Sequence, residues 1–448
     1  MAKYMEGFIM KKKILAIFLV VAMVAALAVG LTACKKDDGK KDAKEITLPA
    51  YNVEEPDYSG IDFSNIKIGM LCLHDKNSTY DKNFIVAMEE VQRAFNLRED
   101  QVIIKTGIDE NNECYDGAMD LVDAGCNIVF ADSFGHEAHM LKAAKQAPKV
   151  LFAHATGTRA HTENLPNFVN AFASIYEGRF LAGVAAGLKL NEMIAAGKFT
   201  AEEAKMGYVG AYTYAEVVSG YTSFYLGAKS VCPTVTMDVT FTGRWYDETA
   251  EFNAANALIN GKCKLISQHA DSMGAPNACE AAGVPNVSYN GSTFDACPDT
   301  FIVSSRINWA PYYKYIIAKM AKAEGNDASK ANVDKDWIGT IKTGSVVLTN
   351  VGGGAAAKGT VEKIVEVREK LVKGEINVFD TKTFTVKDKK LETYMANVNF
   401  EDDGTGKDNN KADTQVIDEN GVFCESTHRS APYFDVEIDG IKLLDRKY

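Results

Sequence analysis

The chain has 448 residues, 46% of them hydrophobic and 24% charged, with only 10 prolines. That is too long for one ordinary core, and the composition excludes a single small module and a disordered or collagen-like chain. Lys and Arg total 49 against 60 Asp and Glu, a net charge of −11 with no concentrated basic patch. Such a surface repels phosphate backbones and argues against a nucleic-acid partner.

In chain order, Lys11, Lys12 and Lys13 precede an uncharged run from Ile14 to Ala33, and a polar stretch follows from Lys35 to Lys44. A charged region, an apolar region and small residues before a boundary make a secretory signal, predicted over 1–33. Leu31-Thr32-Ala33-Cys34 resembles the lipobox of bacterial lipoproteins, which implies lipidation of Cys34 and attachment to the outer face of the cell membrane without a spanning helix. Met10 followed by three lysines is the more usual start, so either Met1 or Met10 begins the chain. Residues 34–64 read as a flexible tether, since two prolines and no apolar period leave nothing to order it. Eight further cysteines have no zinc-site spacing and are expected to be mostly buried thiols. His136 and His139 lack HExxH spacing and read as a capping or surface pair, with no metal and no cofactor expected.

From Ile66 onward, strands and helices alternate. Strand-like runs cover Ile66 to Leu73, Gln101 to Thr106, Asn127 to Ala131 and Lys149 to His154. The intervening helical spacings cover Thr79 to Phe95, Asn112 to Ala124 and His136 to Gln146. A second series follows: helix Ile175 to Ile194, strand Lys205 to Val209, helix Ala215 to Val231, strand Thr234 to Phe241, helix Tyr246 to Asn260, strand Lys264 to His269, helix Ala275 to Ala282 and strand Asn286 to Tyr289. Near-continuous apolar strands predict α/β lobes with parallel sheets flanked by helices.

Ligands of such sheets sit beyond the carboxyl ends of the strands. The residues there are polar and aromatic: Asp75, Ser78, Thr79, Tyr80 and Asp81, then Asp132, Ser133 and Phe134, then Thr156 and Gly157. In the second series they are Tyr214, Trp245, Asp271 and Asn290. Rings that cover faces, with carboxylates and amides that read edges, suit a flat ligand bearing N–H and carbonyl groups. Asp132 and Asp271 also stand where a helix N-cap would, and that reading remains open for both.

The order and spacing of Glu177 to Gly187, Val217 to Ala228, Gly243-Arg244-Trp245-Tyr246-Asp247 with Glu251, Gln268 to Ser272, and Asn308-Trp309-Ala310-Pro311-Tyr312-Tyr313 resemble the basic membrane protein (BMP) family of solute-binding lipoproteins. The resemblance runs from Ile66 to about Asp380. It implies a two-lobed periplasmic-binding-protein-like fold that closes on a purine nucleoside or nucleobase and delivers it to an ABC importer's permease and ATPase, with no catalysis of its own. It places Ser78 to Asp81 near the base, with Tyr80 as the stacking ring, Asp132 accepting from a purine N–H, Phe134 covering a face and Trp245 facing from the other lobe. Asn290 and Arg306 stand where family nucleoside receptors carry an aspartate and a lysine for the ribose, so a free base is an alternative ligand. Another solute such as a sugar, or a non-transport surface role, stands as the alternative function.

The resemblance and the alternation together predict an N-terminal lobe of 65–172 and 304–340, a C-terminal lobe of 173–303 and 341–380, and a strand-rich extension over 381–448 on the second lobe. Crossovers are expected near 171–174, 304–307 and 340–344. Gly352-Gly353-Gly354 lacks the ending of a phosphate loop and reads as a turn, and Asp402 to Asp413 as a solvated hairpin tip.

Overall fold

A computed structural model describes residues 43–446, and every element of the fold belongs to the unit that begins at Lys44. The predicted signal segment and Cys34 lie outside the described residues. Among the described residues, no helix is long and apolar enough to cross a membrane.

The first lobe is built on six strands: β2 (Ile68–Cys72), β3 (Val102–Thr106), β4 (Ile128–Ala131), β5 (Leu151–Ala155), β6 (Phe168–Ala173) and β12 (Asp336–Gly339). They lie in the order β12-β6-β5-β4-β2-β3, and every pair is parallel. The second sheet contains β7 (Lys205–Gly210), β8 (Thr236–Phe241), β9 (Leu265–His269), β10 (Asn286–Tyr289), β11 (Phe301–Ile307), β13 (Val346–Leu348) and β17 (Ile441–Leu443). Its order is β13-β11-β10-β9-β7-β8-β17, parallel except for β13 against β11. Strands β2, β4, β5, β6 and β9 are buried throughout. Helices on both faces account for their unbroken apolar runs. The helices fall within a residue or two of the expected spans, as with Thr79–Ala94, Ile175–Ala195 and Glu248–Asn260.

Helices Ile175–Ala195 and Ala215–Lys229 pack backbone against backbone, and their glycines explain it. A Cβ on Gly183 would collide with the Phe224 carbonyl, and one on Gly227 with the Phe180 carbonyl. Between them Arg179 is fully buried. Its guanidinium donates to the Ser288 carbonyl (3.1 Å), Ser305 Oγ (3.3 Å), Tyr208 OH (3.2 Å) and Ser267 Oγ (2.7 Å). The hydrogen bonds spread the cost of burying this cation over four acceptors from four strands, which ties the second sheet together at the edge of the gap between the lobes.

Three expectations need correction. Strand β11 continues to Ile307 inside the second sheet, so the second crossover falls at Asn308 and Trp309 rather than within 304–307. Residues 44–64 are not a loose tether. Strand β1 (Glu45–Ile46) pairs with β14 (Val351–Gly352), Arg368 donates to the Pro49 carbonyl (2.6 Å), Glu55 pairs with Lys314 (2.9 Å), and Phe63 stacks on Phe95 (4.2 Å). Local periodicity gives no sign of this, because the partners lie tens to hundreds of residues away.

The C-terminal extension, finally, touches both lobes. Strand β17 extends the second sheet beside β8, and Thr240 Oγ1 donates to Asp445 (2.9 Å). On the first lobe, Ser430 donates twice to Asp336 (2.9 and 2.8 Å), His161 meets Asn399 (3.2 Å), and Arg159 lies 4.0 Å over the Phe400 ring. Within the extension, β15 (Met395–Ala396) and β16 (Thr414–Gln415) form a short antiparallel pair. Seven of the eight cysteines in the described residues are buried, Cys424 is half-buried, and all are thiols.

Candidate functional site

A narrow slit separates the lobes at the carboxyl ends of the strands. Its cavity volume is only ≈ 20 Å³. Leu73, His74, Tyr80, Asp81, Ser133, Phe134 and Thr156 line it from the first lobe. Glu216, Trp245, His269, Asp271 and Tyr289 line it from the second. The lobes meet directly beside it. Thr79 N and Oγ1 donate to the Asp271 carbonyl (3.0 and 3.1 Å), and Asn83 Nδ2 donates to the Asn290 carbonyl (2.7 Å). Rings also meet across the gap, His74 with Tyr246 (5.5 Å) and Phe134 with Tyr214 (5.3 Å). This is a closed arrangement.

Seven of the residues singled out in the sequence line the slit: Tyr80, Asp81, Ser133, Phe134, Thr156, Trp245 and Asp271. The others do not. Asp75 is exposed and accepts from the Asn77 amide (2.9 Å), and Ser78 caps its helix while donating to Asp81 (2.5 Å). Thr79 joins the lobes. Gly157 lies against Glu137, His154 and Asn170, leaving no room for a Cβ. Tyr214 is exposed at the mouth, stacked on Tyr212 (5.1 Å). Asn290 is buried with φ at 64°, its amide spent on Asp271 Oδ1 (3.1 Å). Arg306 sits on β11 opposite Val347, outside the slit.

Asp132 lies behind the slit. Its Oδ1 accepts the Leu73 amide (3.1 Å), its backbone carbonyl accepts the Tyr80 hydroxyl (2.8 Å), and its carboxyl group lies against Asp81 and Cys72. Burial, reinforced by Asp81, pushes its carboxyl well above the ordinary range, so the neutral acid is favoured. Neither candidate aspartate caps a helix: Asp271 accepts from Asn290, and Ser272 Oγ takes the Gly274 amide instead. Burial, followed by Asp81, Glu251 and Glu216, raises Asp271 as well. Burial would also raise Asp81, but bonds from His74 and Ser78 outweigh it and hold that carboxyl low. Asp81 in turn raises His74.

His74 begins the loop after the first strand that the sequence points to, whereas four lining residues lie outside the candidate set: Leu73, Glu216, His269 and Tyr289. His269 and Tyr289 are the last residues of their strands, and Glu216 lies in the first turn of its helix, so none of them falls in a loop after a strand. His269 shows how the second lobe prepares this wall. Arg179 can only donate, so the Tyr208 oxygen accepts from it and the Tyr208 hydrogen turns to His269 Nδ1 (3.5 Å). His269 then carries its proton on Nε2 and gives it to Glu216 Oε1 (3.5 Å), so both ring nitrogens are partnered. Burial lowers the His269 pKa, which keeps the ring neutral. The opposite wall holds Thr156, buried in the left-handed region at φ 66°, with Oγ1 lacking any partner. A β-branched residue there is strained, and such strain clusters at binding sites. Among the described residues, no group of side chains could hold a metal ion.

Two α/β lobes closed on a slit at their strand ends define the class of two-lobed solute-binding folds. An ABC transporter solute-binding protein of Conexibacter woesei shares the fold at a TM-score of 0.54 and 19% identity, over 70% of this chain and 98% of that one. Residues 70–382 match the Bmp family model, described as ABC transporter substrate-binding protein PnrA-like, and the chain belongs to that family. It is 32% identical over 265 residues to a purine-binding protein of Brucella abortus, covering 57% of this chain and 66% of that protein. It is also 28% identical over 258 residues to a putative ABC transporter glucose-binding protein of Haloferax volcanii, covering 58% and 60%. The chain therefore spans just under two thirds of the length of these relatives.

Proposed function

We propose that the protein captures a purine between its closing lobes outside the cytoplasm, held to the membrane by a lipid on Cys34, and hands it to an ABC permease without chemical change. The carrying observation is the composition of the slit. Tyr80, Phe134, Trp245 and Tyr289 supply rings, Asp81, Glu216 and Asp271 supply oxygens, and no lysine or arginine lines it. A flat ligand that is neutral and donates N–H groups fits that set, whereas a nucleotide or other anion meets three carboxyl groups. The purine-binding relative supports the same reading. With Asn290 committed to Asp271 and Arg306 outside the slit, the free base is favoured over the nucleoside.

Thermal unfolding with adenine, guanine, adenosine, guanosine, inosine and glucose tests this. A ligand at a hundred times its dissociation constant adds about 2.7 kcal/mol. Stabilisation by bases is the expected result. A response to glucose alone would move the ligand to the sugars, and silence from every solute would remove the transport reading. Replacing Cys34 with alanine should release the protein from membranes; unchanged membrane retention would reject the lipid anchor.

A further inference from the structure

A cavity larger than the slit lies elsewhere in the described residues. It holds ≈ 580 Å³ at the crossovers, between the N-terminal strap 48–58 and the body, and shares no lining residue with the slit. Leu181, Val346, Leu348 and Ile364 give it an apolar wall, and Tyr51, Tyr315 and Trp337 give it rings. Its volume is that of a small-molecule site.

What marks it as more than a packing gap is Arg368, on helix Thr360–Val372. The residue is 8% exposed and lines the cavity. Its Nη1 donates to the Pro49 carbonyl and its Nε has no partner. Among the described residues, no carboxylate pairs with it. A buried guanidinium that meets only one neutral carbonyl and, at 5.9 Å, the Tyr51 ring carries an unmet desolvation cost, which an anion would offset. The neighbouring rim is also basic: Lys314, Lys319, Lys322 and Lys342 stand on the body, with Glu54, Glu55 and Asp57 facing them from the strap. Of these lysines, Lys314 is held by Glu55 and Lys319 donates to the Asn332 carbonyl (3.0 Å).

We propose that this cavity is a second ligand site, for a small carboxylate with an apolar body, whose carboxyl group meets Arg368 while the ring or chain lies against Trp337 and Ile364. The inference stands on its own residues and does not depend on what fills the slit. Isothermal titration of the full chain with 3-phenylpropanoate and with its neutral analogue 3-phenylpropanol is the test. Saturable one-site binding is expected, with the acid at least tenfold tighter than the alcohol and adenine failing to displace it. Arg368→Gln should erase the preference for the acid. Because that change also loosens Pro49, Ala318→Trp provides a second route: it fills the cavity, leaves the cation in place, and should abolish binding of both probes. No saturable binding, equal affinity for acid and alcohol, displacement by adenine, or full binding in Ala318→Trp would each overturn the proposal. A protein that ignores adenine yet binds the acid would fail only the purine reading.

Discussion

The Asp271 carbonyl oxygen accepts two hydrogen bonds from Thr79, one from its amide at 3.0 Å and one from its hydroxyl at 3.1 Å. Asp271 belongs to the second lobe and Thr79 opens the first helix of the first, so closure is written into the protein's own backbone. Asn83 repeats the device on the Asn290 carbonyl. Thr79→Val removes the hydroxyl bond and keeps the amide, and Asn83→Ala removes the other. At about 1 kcal/mol per bond, each change should lower the closed-to-open ratio roughly five-fold. Small-angle X-ray scattering of the ligand-free double variant should show a larger radius of gyration; an unchanged radius would mean these bonds do not hold the lobes.

Glu216 lines the slit with one oxygen already committed to His269. Glu216→Gln keeps that acceptor and the shape but weakens acceptance from a ligand N–H. Charge-assisted bonds contribute about 1.5–3 kcal/mol, so adenine affinity should fall about tenfold or more with the fold intact. Calorimetric binding at neutral pH measures it, and wild-type affinity would take Glu216 out of the recognition set.

Asp132, which the sequence offers as a ligand contact, is behind the wall and favoured as the neutral acid. Asp132→Asn should therefore leave purine affinity within about threefold and hold or raise stability at pH 7. The sign follows from its raised pKa. As pH climbs past the ordinary aspartate value the unfolded chain ionises first, so the wild type loses stability and the asparagine variant does not. Denaturant midpoints across that range decide it, and a large loss of affinity in the variant would return the side chain to the site.

His136 is completely satisfied as a neutral ring, Nε2–H donating to the Ile108 carbonyl (2.8 Å) and Nδ1 accepting the Ser133 amide (3.4 Å). Burial brings its pKa down from 6.5 to about 4. As pH falls below 6.5 the unfolded chain binds the proton first, and stability drains until about pH 4, by roughly 3 kcal/mol from this residue. His136→Gln should flatten that part of the stability curve by a comparable amount. Identical slopes in the two proteins would show that the ring titrates normally.

Much of the molecule was legible because its signals are local. Ile68–Cys72 and Ile128–Ala131 are short apolar runs between polar loops, and Phe84, Ala87, Met88 and Val91 mark a buried helix face by spacing alone. The loops after the strands pointed to Tyr80, Phe134, Trp245 and Asp271 for the same reason, since a parallel sheet fixes which ends face a ligand. His269, Tyr289 and Glu216 were not legible. Whether the last strand residue or the first helical one reaches the slit depends on strand length and on how Arg179 and Tyr208 hold the second sheet.

The sequence by itself determined the alternation, the two α/β lobes, the family and the end of the sheets where a ligand sits, all carried by patterns a few residues wide. Only the tertiary structure decided that the supposed tether is a strap held by Arg368 and Lys314, that the tail joins Asp336 of one lobe to the edge strand of the other, and that Arg306 misses the slit. Each of those depends on a pairing between distant residues, and such contacts leave no period in the chain that makes them.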